Sequence, residues 1–361
     1  MTAPAGDLAT LLRAVHEARG DEEVPLPSPE PHDGQSVAQW RAEVARVRAM
    51  ADAGALRHRA LVDRASKELF GTTVAELLPP VGPLARYTID VPVPADPQPG
   101  GDAPGGGIPA GPGARVPDPA TTVRVSVTTP TDPQSVIIRL HGGAFWMAGG
   151  TAADSIDAHL IDQLAHVARA VVLNVDYRLA PEHPFPAAIV DTLTVLDAVR
   201  DGNLGLATEA AAPIALVGTS SGANIATVAA MADAARRPAS PLRGLGLLVP
   251  SVLLTRVPDG EAALRVRRQQ LRGYLGELAL DDPWASPGVL PRIAGLPPTF
   301  AAIASADEVA AGGESLCAAI EAGGGEATAH IYEMTHTTAT PAVEAAMIGE
   351  LAAAMRDALH P

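Results

Sequence analysis

The sequence predicts an α/β protein built on a mostly parallel sheet with helices on both faces. Three observations carry this. Runs such as "SVIIRL", "AVVLNVDY", "IALVG" and "PTFAAIAS" are apolar almost throughout, as strands buried on both faces must be. Helix-forming stretches separate them, the alternation that builds a layered α/β core. At one strand-to-helix junction stands Gly218-Thr219-Ser220-Ser221-Gly222, a G-x-S-x-G pentapeptide.

Taken in order, residues 1 to about 35 are expected to be weakly structured, because "DEEVPLPSPEPHDG" is acidic, proline-rich and aperiodic. At Ser36 a helix begins: Ser36 and Gln39 form a capping-box pattern, and Trp40, Val44, Val47 and Ala51 recur at helical spacing. A second helical stretch, "LRHRALVDRASKELFG", ends near Gly71. From Leu84 the period changes. "ARYTIDVPVP" and "TTVRVSVTT" alternate and are β-branched, so both read as strands. The Gly/Pro tract between them, residues 95–120, is expected to be a long surface loop. After "SVIIRL" come a helix around "SIDAHLIDQLAHVAR", strand "AVVLNVDY" and helix "VDTLTVLDAVRDG". Strand "IALVG", helix "ANIATVAAMADAARR" and strand "LRGLGLLVP" follow, then a helical insertion near "GEAALRVRRQQLRGYLGEL". Strand "PTFAAIAS", helix "GESLCAAIEAGG", strand "ATAHIYEM" and an Ala-rich helix close the chain.

Composition limits the function classes. With 26 basic against 41 acidic residues, a net charge of −15 repels nucleic acid and anionic membrane, so neither is an expected partner. No apolar run has the length of a membrane span, and the N-terminus lacks a basic leader with an apolar core. The single cysteine, Cys317, excludes an internal disulfide framework and suits a reducing compartment. A cytoplasmic location is the expectation. Cys317 itself reads as a small buried hydrophobe within a helix.

The pentapeptide acquires meaning from its setting. A nucleophilic serine at its centre must sit on a sharp strand-to-helix turn, and the residues two before and two after must be small. Gly218 and Gly222 meet that demand for Ser220; Ser221 would have Thr219 and Ala223 instead. Ser221, at the helix start, offers its N–H to an anion forming beside Ser220. A serine needs a base, and the base an orienting acid, in the chain order serine, acid, histidine. His330 lies inside a strand and reads as a sheet-face residue, whereas His336 lies in the loop just past it. Asp307 and Glu308 both follow the preceding strand, and residue type alone does not separate them. In "LHGGAFW" two glycines directly after a strand allow backbone N–H groups to turn toward a developing negative charge. Phe145, Trp146 and Met147 would border an acyl site, though core packing explains them equally well.

Four stretches together resemble the hormone-sensitive-lipase-like branch of the α/β-hydrolases, the group of many bacterial (family IV) esterases. They are "HGGAFW" from His141, "DYRLAPEHPFPAAIVD" from Asp176, "GTSSGAN" from Gly218, and the pair "GLPPTFAAIASADEV" and "YEMTH". The resemblance implies an α/β-hydrolase fold with Ser220 as nucleophile, Asp307 as acid and His336 as base. It also implies an oxyanion hole from Gly143, Ala144 and Ser221, with His141, Gly142, Gly218 and Gly222 as supporting motif residues. Residues 81–361 would form the catalytic domain. Residues 1–80 would be a disordered arm plus a helical cap, to which 253–282 contribute.

The implied function is that of a serine carboxylesterase acting on small to medium uncharged esters through an acyl-enzyme, with no metal or organic cofactor. A homodimer is compatible with it. Alternatives on the same fold are a lyase, a ligand-binding protein, or an amidase or lactone hydrolase of a biosynthetic pathway; retention of His336 speaks against a receptor. The chain departs from the family at Thr219, where Asp is usual, at Ala144, where a third glycine is usual, and at Thr337-Thr338 after the histidine.

Overall fold

The computed structural model describes residues 7–20, 25–94, 121–208, 211–256 and 261–361. The Gly/Pro tract at 95–120 lies outside the described residues. Among the described residues eight strands form one sheet: β1 (Leu84–Pro92), β2 (Thr122–Pro130), β3 (Ser135–Leu140), β4 (Ala170–Asp176), β5 (Ile214–Thr219), β6 (Gly244–Leu248), β7 (Thr299–Ala304) and β8 (Ala327–Tyr332). Their order across the sheet is β1-β2-β4-β3-β5-β6-β7-β8. β1 pairs with β2 and β2 with β4 antiparallel; every other pairing is parallel.

Strand periodicity divides the core in two. Val136, Ile138 and Leu140 of β3, with Leu173 and Leu216, pack on one face. There they meet α6 (Ala187–Arg200) and α7 (Ser221–Arg236). Ile137, Val172, Ala215 and Val217 point the other way, onto α5 (Ala158–Val167) and α10 (Pro341–Leu359). Because both faces are covered, the central strands are apolar at most positions, with Arg139 of β3 and Asn174 of β4 as buried exceptions, which is why they read as nearly continuous runs. Between β7 and β8, α9 (Ala310–Ala322) buries Cys317, and burial pushes its thiol up to about 11, as expected of a packed, unreactive side chain.

The front of the chain differs from expectation in one respect. Residues 8–19, read as weakly structured, form α1 (Leu8–Arg19), N-capped by the Asp7 carboxylate accepting from Thr10 N–H. Leu11 and Val15 are buried against Val62 and Ala65 of α2 (Val37–Phe70). The helix owes its place to that partner, which a Pro-rich neighbouring stretch concealed. Residues 25–34 have no regular structure, as expected, yet they are fastened: Trp40 Nε1 donates to Ser28 O, and Gln269 Nε2 to Pro27 O.

The two helical stretches foreseen after Ser36 are one helix of 34 residues, with both halves of the capping box present and Gly71 in a left-handed C-cap. At 1.5 Å per residue α2 is about 50 Å long, enough to cross the whole C-terminal edge of the sheet. At one place Arg48 donates to Trp146 O and Ala180 O and forks onto Glu182. Farther along, His58 Nε2 meets Thr338 Oγ1 at 3.1 Å and Arg59 pairs with Glu344 of α10. The insertion contributes α8 (Glu261–Leu275), whose Tyr274 stacks on Phe145 with ring centroids 3.7 Å apart.

Candidate active site

Gly143 and Ala144, Ser220 and Ser221, Asp307, and His336 follow the carboxyl ends of β3, β5, β7 and β8 in turn, the end of the sheet where open α/β sheets hold their sites. Ser220 joins β5 to α7 with φ 54° and ψ −115°, a conformation an L-residue adopts at a cost of about 1–3 kcal/mol. Its backbone is pinned from several sides. Its N–H donates to Leu248 O at 2.8 Å, and its carbonyl accepts from Ala223, Asn224 and Ser251. The flanking glycines are obligatory: a Cβ on Gly218 would strike the Gly222 carbonyl, and one on Gly222 the carbonyls of Leu140 and His141. This turn holds the hydroxyl above the sheet edge.

Ser220 Oγ lies 2.8 Å from His336 Nε2. His336 Nδ1 donates to Asp307 Oδ2 at 2.6 Å, and Asp307 Oδ1 accepts from Val309 N–H. The carboxylate holds the ring proton on Nδ1, leaving Nε2 as an acceptor facing the serine. Asp307 is withdrawn from solvent, at 2% side-chain exposure against 36% for His336, so the orienting charge is protected while the ring faces the site. Glu308, the other candidate acid, is exposed. His330 sits on the outer sheet face bonded to Glu350 of α10, as its strand position suggested.

The residues expected to bind an oxyanion lie beside this line. Gly143, Ala144 and Phe145 follow one another at φ 127°, 49° and 71°, and the N–H groups of Trp146 and Met147 close the loop onto Gly143 O. Gly142 packs against the elbow, where an added Cβ would lie 3.4 Å from Ser220 Cβ. Ser221 begins α7, so its N–H has no partner within the helix. His141 anchors the loop from beneath: fully buried and stacked on Tyr177, it donates from Nδ1 to Gly142 O at 2.6 Å. Burial lowers its pKa to about 3, so the ring is neutral. Tyr177 O–H donates to His141 O.

Several supporting residues carry no sequence signal of their own. Arg139, fully buried, pairs with Asp157 and donates to Thr219 Oγ1 at 2.8 Å, so the threonine in the usual Asp position receives a charge-assisted bond. Arg178 forks onto Asp191 thirteen residues on, folding the "DYRLAPEHPFPAAIVD" stretch into one loop. Asn224 Nδ2 ties α7 to the carbonyls of Ser251 and Ala285. Arg178, Asp191 and Asn224 lie within quoted motifs, but nothing in the order of residues says which bonds they make. Among the described residues no cluster of three or more His, Cys, Asp or Glu is placed to hold a metal ion, and no helix is long and apolar enough to cross a membrane.

Known proteins resemble this chain. The profile of the α/β hydrolase fold matches residues 137–339, the span holding every site residue above. The chain is 35% identical over 185 residues to esterase LipI of Mycobacterium tuberculosis, covering 48% of this chain and 55% of LipI. It is 40% identical over 124 residues to carboxylesterase NlhH of the same organism, covering 33% of this chain and 36% of NlhH. The matches thus span about half or less of these curated relatives' length. Among solved structures, an esterase of Pyrobaculum calidifontis superposes with a TM-score of 0.64 at 24% identity, covering 87% of this chain and 92% of that one, which speaks for the fold. The chain belongs to the α/β-hydrolase family, in its hormone-sensitive-lipase-like branch.

Proposed function

We propose that this protein is a serine carboxylesterase that cleaves small to medium acyl esters through an acyl-enzyme. The observation that carries the reading is the unbroken line Ser220 Oγ, His336, Asp307, at 2.8 and 2.6 Å, on a strained and fully braced elbow. Ser220 attacks the ester carbonyl while His336 Nε2 takes its proton. Gly143, Ala144 and Ser221 N–H groups stabilise the oxyanion. The protonated ring, held by Asp307, returns its proton to the departing alkoxide; water, activated by the same nitrogen, then releases the acid. The names of LipI and NlhH support ester chemistry, and α2 with α8 supplies the cap over the site.

A cytoplasmic setting rests on the single cysteine. A homodimer has an available seam at the open edge of β8, where Ile331 is 64% exposed; light scattering decides it. The test of the central reading is intact-mass labelling with a fluorophosphonate followed by peptide mapping. A single adduct on Ser220, absent in His336→Ala, is expected. Full recovery of unmodified protein, under conditions that label a known serine esterase, would remove the hydrolase reading.

A further inference from the structure

Among the described residues, the withdrawn arginines follow a rule from which Arg267 departs. Arg48 holds Glu182, Arg59 holds Glu344, Arg139 holds Asp157, Arg178 holds Asp191, Arg200 holds Asp233 and Arg236 holds Asp197. Arg267 of α8 is half-buried too, yet among the described residues no carboxylate forms an ion pair with it. Its Nη2 donates at 3.3 Å to a neutral hydroxyl, Ser251 Oγ. A guanidinium removed from water without a counter-ion is costly to hold. Burial lowers the Arg267 pKa, with the Glu308 charge acting in the opposite sense.

Its position gives that cost a use. Ser251 N–H donates to Ser220 O, so the guanidinium is one side chain away from the nucleophile's own backbone. Glu308, whose charge it senses, directly follows Asp307. Arg267 therefore stands between the nucleophile and the acid loop, reaching down from the helix that covers the site. That helix is also a local reversal of sign. In a chain of net charge −15, α8 places Arg265, Arg267, Arg268 and Arg272 against the single acid Glu261.

We propose that Arg267 is a specificity-determining residue that receives a carboxylate carried by the ester substrate, a few bonds from the scissile carbonyl. This rests on the esterase reading and sharpens it, since the sequence alone suggested uncharged esters. The incoming carboxylate supplies the counter-ion that the fold gives every other withdrawn arginine named above, through the paired N–H···O geometry a guanidinium offers.

The test compares matched esters: monoethyl adipate against ethyl hexanoate for a carboxylate on the acyl side, and 4-acetoxybutanoate against butyl acetate for one on the alcohol side. In at least one pair the charged ester is expected to have the higher kcat/KM. Arg267→Gln should lower that preference at least about tenfold, mainly through KM, with Arg267→Lys in between. A preference for the neutral ester in both pairs overturns the proposal. So does an equal loss on charged and neutral esters in Arg267→Gln, which would mark a staple between α8 and the body. Calorimetric titration of monoethyl adipate and 4-acetoxybutanoate into Ser220→Ala, with and without Arg267→Gln, reads the anion site without turnover. Failure of fluorophosphonate labelling would thus reject the esterase reading while calorimetry still decides the arginine.

Discussion

The elbow at the end of β5 and the seam that fastens α2 and α8 are held by different physics. Around Ser220 the contacts are backbone to backbone, and the space is closed by missing side chains: Gly218 and Gly222 exist because carbonyls occupy the room of their Cβ atoms. Across the seam the contacts come from long side chains. Arg48 reaches Glu182 and two carbonyls, Asp52 accepts from Ala148 N–H, and Arg272 pairs with Glu30. The first arrangement fixes positions to fractions of an ångström. The second leaves α2 and α8 free to differ in charge while the backbone contacts of the elbow stay as they are.

The comparison breaks most sharply at the frame. Ser220→Ala should lower turnover of a neutral ester by at least about 10⁴-fold, and Asp307→Asn by about 10³–10⁴-fold, with the melting temperature little changed. Retained activity in Ser220→Ala would mean the chemistry lies elsewhere. Gly222→Ala should cost about 1–3 kcal/mol or more, by forcing a methyl group into the Leu140 and His141 carbonyls. Gly349→Ala is the control: it lies within α10 with open space around it, and should gain about 0.5–1 kcal/mol. Chemical denaturation measures both, and equal signs would contradict the packing described here.

At the seam, Arg48→Met leaves Glu182 without its partner at 11% side-chain exposure and frees two carbonyls. A loss of about 1–3 kcal/mol is expected, with KM affected more than kcat. An effect confined to kcat would place Arg48 with the frame instead. A further effect concerns pH. His141 ordinarily titrates near 6.5 but at about 3 when folded. Between those values the unfolded chain takes up a proton that the folded chain refuses, so acidification through this window destabilises the native state. The slope is at most about 1.4 kcal/mol per pH unit. His141→Gln should flatten the fall in stability between pH 6 and 4 relative to the parent; an unchanged slope would assign the acid sensitivity to other groups.

Much of the frame was legible because its demands are local. A strand buried on both faces must be apolar at most of its residues, and an elbow must have small residues at fixed offsets, so β3, β4, β5 and Ser220 announce themselves. His336 could be separated from His330 by position relative to a strand end, whereas the choice of Asp307 over Glu308 needed the family resemblance. What was not legible depends on partners distant in the chain. The spacing of Leu8, Leu11 and Val15 is helical, but α1 is secured by Val62 and Ala65, and the acidic proline run beside it pointed toward weak structure. Arg267 lies in an ordinary amphipathic stretch, and the fold alone shows that among the described residues it has no carboxylate of the kind its buried counterparts hold. Thr337 and Thr338, unusual after the histidine, make sense once Thr338 is found against His58.

That last contact joins residues 280 positions apart, and beside it Arg59 grips Glu344. The loop that carries His336 is therefore held by α2 on one side and by α10 on the other. The nitrogen that faces Ser220 keeps its place while two helices far apart in the chain are both docked, so loosening either one uncouples the pair without touching a residue of the elbow.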